Sequence, residues 1–264
     1  MNFGEIFSRQ PQTVDGGIPY FGSDREGDQF DETDVAKWTV GGGFSRRWAA
    51  RGTANEFRNE VYMNLCRAAA QLAQPIMDIA SGPGLGLVPD VLAFNPNAQC
   101  LVTDACPTVV REWSRYLREN APETQISFAS FNAADMPLAD CSVPVITSNI
   151  GFSSLRYAGE NNLLGVREAY RVLRAGGYIF TVENEFEDYG IIRQVFDLWG
   201  RANWYPENPL PWRGRFESCG FVVESETPML RRVETADFEL GEVAASFGFE
   251  IAAKYTAFVL RKPR

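Results

Sequence analysis

The residues best suited to chemistry in this chain are two aspartates and the glycines between them. Asp78 lies inside a short apolar segment that is followed at once by Gly82, Gly84 and Gly86. Glycine tolerates positive φ and lets bare backbone approach a ligand where a side chain would collide. Asp104 ends the next apolar segment, where a carboxylate can accept hydrogen bonds from both hydroxyls of a ribose. The spacing therefore predicts a site for an adenosine-type ligand.

Each half of this pattern also has a purely structural interpretation. Glycines between a strand and a helix can form a tight turn that binds nothing. An acid at a strand end can be solvated or can cap a helix. The two features together favour a ligand, because a tight turn alone does not require a carboxylate at the end of the neighbouring strand.

These residues need a scaffold that brings strand ends together, and the hydrophobic pattern predicts one. Apolar strands are predicted at 75–80, 99–103, 126–131, 143–150, 178–182, 221–224 and 256–261. Helical spacing of apolar residues is found at 54–74, 109–120, 161–175, 191–202 and 237–246. Strands that alternate with helices in this way are typical of a doubly wound sheet. We therefore predict an α/β, Rossmann-like fold with a seven-stranded, mostly parallel sheet and helices on both faces.

The start of the chain differs from this alternating core. Residues 1–53 combine glycine pairs, an acidic run and isolated aromatic residues, a composition typical of loops and short helices laid over another domain. We predict a helical or loop extension over 1–53 that acts as a lid. The single domain then covers 54–264, with an insertion at about 226–252.

Composition excludes several kinds of catalysis. The chain has no histidine, so it contains neither a Ser-His-Asp nor a Cys-His nucleophile system, nor a histidine-ligated zinc site. Its lysines, Lys37, Lys254 and Lys262, never follow a glycine, which excludes the phosphate-binding loop of P-loop nucleotidases. Its five cysteines are odd in number and lack zinc-ribbon spacing, so we predict reduced thiols, no metal site and a cytoplasmic location.

Charge and hydropathy narrow the range of partners. Asp and Glu number 34 against 25 Lys and Arg, which gives a formal net charge of −9. Such a field repels nucleic acid and anionic lipid, and the sequence has no large basic patch to reverse it. No stretch of about 18 uncharged apolar residues occurs. We predict a small-molecule partner, with no nucleic acid and no membrane, and leave the oligomeric state open.

Four segments together resemble the class I S-adenosylmethionine-dependent methyltransferases. They are the turn DIASGPGLG at 78–86, Asp104, the segment FNAADMPL at 131–138 and the segment REAYRVLRAGG at 167–177. The resemblance covers about residues 75–185 and implies S-adenosylmethionine as cofactor and methyl transfer as activity. The Asn/Asp-Pro-Pro-aromatic motif of methyltransferases that act on base amines is missing after the fourth strand, which agrees with a small-molecule acceptor.

The resemblance also implies which residues bind the cofactor. The candidates are Asp78, Ala80, Ser81, Gly82, Gly84, Asp104, Ala105, Asn132, Ala133 and Asn149. Asp78 is implied to reach the amino group, directly or through water, and Asp104 to hold the ribose. Asn132 occupies the position that reads adenine, with Asp135 as a rival. Asn149, at the exit of the fourth strand, is implied to lie beside the methionine portion or the acceptor.

Methyl transfer from a sulfonium depends more on in-line positioning than on acid or base, so we assign no catalytic residue. If the acceptor must lose a proton, Glu183 and Glu185 are the candidate bases, with a solvated carboxylate as the alternative. Arg46 and Arg47 are candidates to hold a carboxylate, with surface exposure as the alternative. Aromatic residues at the predicted ligand edge suggest a lid over an aromatic or apolar acceptor; they are Tyr20, Phe21, Phe30, Trp38, Trp48, Trp199, Trp204, Tyr205 and Trp212.

Two other functions fit part of the pattern. An NAD-dependent dehydrogenase shares the glycine turn and the ribose acid, but no tyrosine here has a lysine four positions later and histidine is absent. A catalytically inactive S-adenosylmethionine-binding scaffold fits as well as an enzyme does, because the reaction requires no particular catalytic side chain. Turnover of labelled cofactor separates the scaffold from the enzyme.

Overall fold

The computed structural model describes residues 3–22, 36, 40–155, 161–200, 210–234 and 239–264. A 3-10 helix at Phe3–Ile6 precedes the helices α1 (Gly43–Ala49), α2 (Glu60–Gln71), α3 (Val88–Phe94), α4 (Pro107–Asn120), α5 (Gly151–Ser154), α6 (Asn161–Val172), α7 (Tyr189–Leu198), α8 (Trp212–Ser218) and α9 (Glu239–Ser246). The strands are β1 (Thr13–Asp15), β2 (Ile18–Tyr20), β3 (Ile76–Ile79), β4 (Cys100–Asp104), β5 (Ile126–Ser130), β6 (Val143–Asn149), β7 (Leu173–Phe186), β8 (Val222–Val233) and β9 (Ala252–Arg261).

These strands form one sheet in the order β1-β2-β5-β4-β3-β6-β7-β9-β8. The central strands from β5 to β7 run parallel, whereas β9 lies antiparallel to both of its neighbours. Parallel neighbours need crossover connections, and the helices along the chain provide them. The predicted α/β, Rossmann-like fold with a mostly parallel sheet is thus confirmed.

The sheet has nine strands in the described residues, two more than predicted. The extra pair is the hairpin of β1 and β2, which joins the edge of β5 through one residue pair, Tyr20 with Ser130. Gly16 and Gly17 form its turn with φ values of 55° and 83°, and two positive φ angles suit a two-residue hairpin turn. Each strand has only three residues, too few for an alternating pattern to be recognised.

Several boundaries also differ from those predicted, as at α2, which begins at Glu60 and not at residue 54. Helix α6 ends at Val172, and Gly177 lies within β7 instead of after a helix. Glycine suits this position because a Cβ there would approach Pro144 O to 2.8 Å. Strand β8 runs to Val233 and pairs with β9, so the first part of the predicted insertion at 226–252 is sheet. The division between 1–53 and 54–264 stays a prediction.

Helix α2 shows how the sequence begins an element and orients it. Asn59 caps the helix, because its Oδ1 accepts hydrogen bonds from Val61 N at 3.1 Å and Tyr62 N at 3.2 Å. The buried positions then recur every three or four residues, as at Tyr62, Cys66 and Ala69. This single apolar stripe fixes which face of the helix packs on the sheet.

Two apolar cores cover opposite faces of the sheet. Ile76 and Met77 are neighbours in β3, their side chains point to opposite faces, and they belong to different clusters. Helices α2, α3 and α4 pack on the Ile76 face, whereas α6 and α8 pack on the Met77 face. With both faces covered, the carboxyl ends of the parallel strands are the edge where such sheets bind ligands.

Candidate functional site

The carboxyl ends of β3, β4, β5 and β6 bring the predicted residues to one edge of the sheet. Asp78 in β3 lies in register with Thr147 of β6. Asp104 is the last residue of β4 and Asn149 is the last residue of β6. Asn132 follows the end of β5 by two positions. Parallel pairing therefore places residues that are far apart in sequence at the same edge.

The segment between β3 and α3 is a tight turn. Left-handed φ values of 48° to 60° occur at Ala80, Gly82, Leu85 and Gly86. Ala80 stands where the resembling family has its first glycine, and its left-handed conformation costs on the order of 1–2 kcal/mol. Ser81 N donates to Thr103 O at 3.0 Å and Gly86 N donates to Ser81 O at 2.8 Å. These bonds fix the turn against β4.

The Asp78 carboxylate is completely buried beneath this turn. Its Oδ1 accepts from Ser81 Oγ at 2.6 Å, and its Oδ2 accepts from Thr147 Oγ1 at 2.6 Å and Leu87 N at 3.3 Å. A Cβ on Gly86 would overlap the carboxylate. Burial raises the pKa of Asp78 to about 7, although the hydrogen bonds oppose this rise. Asp78 ties the turn to β6, and its contact with a cofactor amino group stays a prediction.

The Asp104 carboxylate meets the same turn from the next strand. Its Oδ2 accepts from Gly82 N and its Oδ1 accepts from Cys106 N, both at 2.8 Å. Burial raises the pKa of Asp104 to about 6, and both hydrogen bonds oppose this rise. An ionised carboxylate has about four acceptor positions, so each oxygen retains capacity for another donor. Asp104 therefore holds the turn and keeps acceptor capacity, and its contact with a ribose stays a prediction.

The loop after β5 holds both candidates for adenine recognition. Asn132 Oδ1 accepts from Ala134 N at 2.9 Å, which fixes the side chain in a short turn. Asp135 instead forms a two-point ion pair with Arg9 at 2.9 and 3.2 Å. Each oxygen of Asp135 and the Oδ1 of Asn132 keeps capacity for another donor, so the choice between the two residues stays a prediction. Ala133 is buried beside it.

The exit of β6 is tightly constrained and holds a buried polar atom. Asn149 Oδ1 has no hydrogen-bond partner among the residues that the structure describes. Ile150 follows with φ of 63°, an uncommon conformation for a β-branched residue, and such strain gathers at functional sites. A Cβ on Gly151 would approach Ile79 O to 2.8 Å. A buried acceptor without a donor costs about 1–3 kcal/mol, so this position fits a ligand that brings a donor.

The two candidate bases both support neighbouring backbone. Glu183 is completely buried, and its Oε2 accepts from Ser153 N at 2.8 Å and from the Ser153 hydroxyl. Its Oε1 accepts from Thr181 Oγ1 at 2.6 Å, and burial raises its pKa to about 7. Glu185 accepts from Trp212 N at 2.6 Å. The solvated alternative is therefore wrong for Glu183, and a role as base stays a prediction for both.

Of the aromatic residues predicted as a lid, the structure describes five, and each packs against an apolar core; they are Tyr20, Phe21, Trp48, Trp199 and Trp212. Trp48 and Trp212 are 7% and 1% exposed, and they pack in the cores on opposite faces of the sheet. These two side chains fasten their segments to the core. Phe30, Trp38, Trp204 and Tyr205 lie outside the described residues. The lid as a whole stays a prediction.

Arg47, in α1, contacts the turn directly and is not a surface residue. Its Nε donates to Gly84 O at 3.0 Å and its Nη2 donates to Gly86 O at 3.3 Å. Nη2 also pairs with Asp90 at 2.7 Å, and the side chain of Arg47 is 12% exposed. The only signal in the sequence is Asp90 itself, since a single acid in the apolar helix VPDVLAF needs a buried partner.

The segment that contains these features matches a known protein family. The match covers residues 77–181, and the family is described as a methyltransferase domain. It includes the turn, Asp104 and the exit of β6. Residues 77–181 match the model of that family, and the resemblance to S-adenosylmethionine-dependent methyltransferases is confirmed over this segment.

Curated relatives carry related names. A demethylmenaquinone methyltransferase of Porphyromonas gingivalis is 27% identical over 172 residues, which are 62% of this chain and 65% of the relative. A ubiquinone/menaquinone biosynthesis C-methyltransferase of Dinoroseobacter shibae is 26% identical over 163 residues, 60% of each chain. The chain thus spans less than two thirds of the length of either relative.

Solved structures share the fold at low sequence identity. The cyclase SpnF superposes with a TM-score of 0.57 at 14% identity, over 92% of this chain and 99% of that one. A geranyl diphosphate methyltransferase superposes with a TM-score of 0.51 at 14% identity, over 74% of this chain and 78% of that one. Because a cyclase and a methyltransferase both match, this likeness shows the fold and leaves the reaction to the site.

Proposed function

We propose that this chain is an S-adenosylmethionine-dependent methyltransferase that acts on a small-molecule acceptor. The observation that carries the proposal is the hydrogen bond from Gly82 N to Asp104 at 2.8 Å. It sets bare backbone beside a carboxylate with acceptor capacity to spare, the combination that an adenosyl ligand with a ribose diol requires. The family match of residues 77–181 supports the same conclusion.

Different residues at this edge suit different parts of the cofactor. Asp104 suits the ribose hydroxyls, and Asn132 suits the adenine amine. Asn149 Oδ1, which has no donor among the described residues, suits the ammonium of the methionine portion. The backbone from Ala80 to Gly84 then lies beneath that portion. When bound, S-adenosylmethionine supplies a methyl group on a sulfonium, which is activated for transfer without a further cofactor.

The contribution of the chain itself to the reaction is positioning. Transfer requires the nucleophile, the methyl carbon and the sulfur to lie in line, and positioning of bound reactants can supply about 7–11 kcal/mol. Ile150 is held by a hydrogen bond from its N to Val182 O at 2.7 Å. Glu183 fastens the following residues through Ser153. This exit of β6 is therefore rigid enough to orient both reactants.

The acceptor that fits best is a small aromatic molecule of the quinol type. The named substrates of the curated relatives support this class, and the net charge of −9 disfavours nucleic acid. No helix in the described part of the chain has the length and apolar character needed to cross a membrane. All five cysteines are free, which agrees with a reducing compartment, and the cytoplasmic location stays a prediction.

The proposal is tested by binding first and turnover second. Calorimetric titration with S-adenosylhomocysteine should give heat, and methyl-labelled S-adenosylmethionine should label a hydroxylated aromatic from a panel that also contains RNA and a peptide. Tight binding of a dinucleotide with no heat from S-adenosylhomocysteine would overturn the proposal. Binding without label on any acceptor would instead favour the inactive scaffold.

A further inference from the structure

The guanidinium of Arg47 is only partly satisfied by the protein. Its Nε and Nη2 donate to the carbonyls of Gly84 and Gly86 and to Asp90. Its Nη1 is buried and has no hydrogen-bond partner among the described residues. Guanidinium nitrogens only donate, so the missing partner must be an acceptor.

Asp90 does not supply this acceptor, because donors already surround it. Its Oδ1 accepts from Gly52 N at 2.7 Å and from Arg58 Nη1 at 3.3 Å. Its Oδ2 accepts from Tyr62 Oη at 3.2 Å as well as from Arg47. Arg47 and Arg58 are only 12% and 11% exposed, and Asp90 is fully buried. The cluster therefore holds two cations against one anion, and buried charge of this kind calls for a counter-charge.

The Arg47 guanidinium lies at one end of the turn between β3 and α3, and the unpaired Asn149 Oδ1 lies near the other end. Arg47 binds the carbonyls of Gly84 and Gly86, where the turn ends. Asn149 follows Ser148, which lies in register with Ile79 where the turn begins. A buried donor at one end and a buried acceptor at the other fit a zwitterion that carries a carboxylate and an ammonium.

We propose that Arg47 binds the α-carboxylate of S-adenosylmethionine through Nη1, an inference that rests on the proposed function. Arg47 lies outside the segment 77–181 that matches the family, so the N-terminal part of the chain completes the cofactor site. The bond also links cofactor binding to α1. It supplies the acceptor that Nη1 lacks and adds a second negative charge to a cluster of two cations and one anion.

The test compares S-adenosylhomocysteine with its analogue in which hydrogen replaces the α-carboxylate. Both are titrated calorimetrically into the wild-type chain and into Arg47→Met. The wild type should prefer S-adenosylhomocysteine roughly 10- to 100-fold, the range of one charge-assisted hydrogen bond. Arg47→Met should bind the two ligands within about threefold of each other, because the group that distinguishes them is gone.

The matched control is Arg58→Met. It removes the other cation from Asp90 at nearly equal burial, but Arg58 donates to Ala50 O and not to the turn. The control should keep the wild-type preference even if it melts earlier. If Arg47→Met does not fold, Arg47→Lys retains charge beside Asp90, but its single nitrogen cannot replace three, so the preference should still fall below about threefold.

The outcomes separate this inference from the proposed function. If the wild type binds neither ligand, the proposed function fails and the inference fails with it. If the wild type binds S-adenosylhomocysteine but Arg47→Met, or the folded Arg47→Lys, keeps the full preference for the carboxylate, only the role of Arg47 is overturned. An equal loss of preference in Arg58→Met would assign the effect to the cluster as a whole and would also overturn it.

Discussion

Replacing Asp104 by alanine should weaken binding of S-adenosylhomocysteine by about two to four orders of magnitude. Two ribose hydroxyls that donate to an ionised carboxylate contribute on the order of 1.5–3 kcal/mol each, and 1.4 kcal/mol is about tenfold in affinity. The substitution also leaves Gly82 N and Cys106 N without their acceptor, at a cost of about 1–3 kcal/mol each in stability. Asp104→Asn should be milder, because it keeps one acceptor oxygen.

The same carboxylate predicts a dependence of binding on pH. Burial raises the pKa of Asp104 to about 6, so only about one tenth of the free protein carries the ionised form at pH 5. Since the ribose donates to the ionised form, affinity should fall roughly tenfold from pH 7.5 to pH 5. Asp104→Asn does not titrate there and should lose this part of the change.

The assay is calorimetric titration of the wild type, Asp104→Ala and Asp104→Asn, with circular dichroism to confirm that each is folded. A second ligand, the analogue of S-adenosylhomocysteine without the two ribose hydroxyls, serves as control. The wild type should prefer the hydroxylated ligand, whereas Asp104→Ala should not. A preference that survives in folded Asp104→Ala would refute the ribose assignment.

Three other substitutions test the surrounding structure. Gly86→Ala should lower the free energy of unfolding, measured by urea titration, by several kcal/mol, because its Cβ would overlap the Asp78 carboxylate. The control is Gly17→Ala, at a position that is also left-handed but lies in open space, and it should cost about 1 kcal/mol. Equal losses in the two variants would contradict the packing argument. Burial raises the pKa of Glu183 to about 7, above its unfolded value, so Glu183 adds stability as the pH falls from about 7 to 4.5. Glu183→Gln should remove that gain in melting temperature. If the melting temperature of Glu183→Gln depends on pH as that of the wild type does, this role of Glu183 is wrong. Asn149→Ala should weaken S-adenosylhomocysteine binding about five- to tenfold in calorimetry. The melting temperature should not fall, because the substitution deletes an oxygen without a hydrogen-bond partner among the described residues. A loss of stability with full affinity would instead show that Asn149 caps the end of its strand.

The central sheet and the turn were predictable because their signals are local. Apolar runs such as that before Gly82 mark buried strands, and parallel order then places Asp78, Asp104 and Asn149 at one edge without further information. The choice between Asn132 and Asp135 for adenine recognition stays a prediction, although the structure adds an ion pair of Asp135 with Arg9 that the sequence does not show.

The parts that were missed depend on contacts between distant segments. Strands β1 and β2 are three residues each and take their place from the edge of β5, which no local pattern reveals. Arg47 was a candidate to hold a carboxylate, but its contacts with carbonyls 37 and 39 positions away were missed, because every residue type carries the same carbonyl. Trp48 and Trp212 were predicted to form a lid because the sequence does not distinguish an aromatic side chain that lines a cavity from one that fills a core.

The cluster around Asp90 has a practical consequence for protein engineering. Arg47, Gly52 and Arg58 all donate to this one carboxylate, so the stretch from α1 to the start of α2 is fastened to α3 at a single point. Shortened versions for crystallography should therefore start ahead of residue 43. A version trimmed to residue 54 would strip two of these donors from the buried Asp90 carboxylate, at a cost of about 1–3 kcal/mol each, which is a large part of the stability of a typical domain.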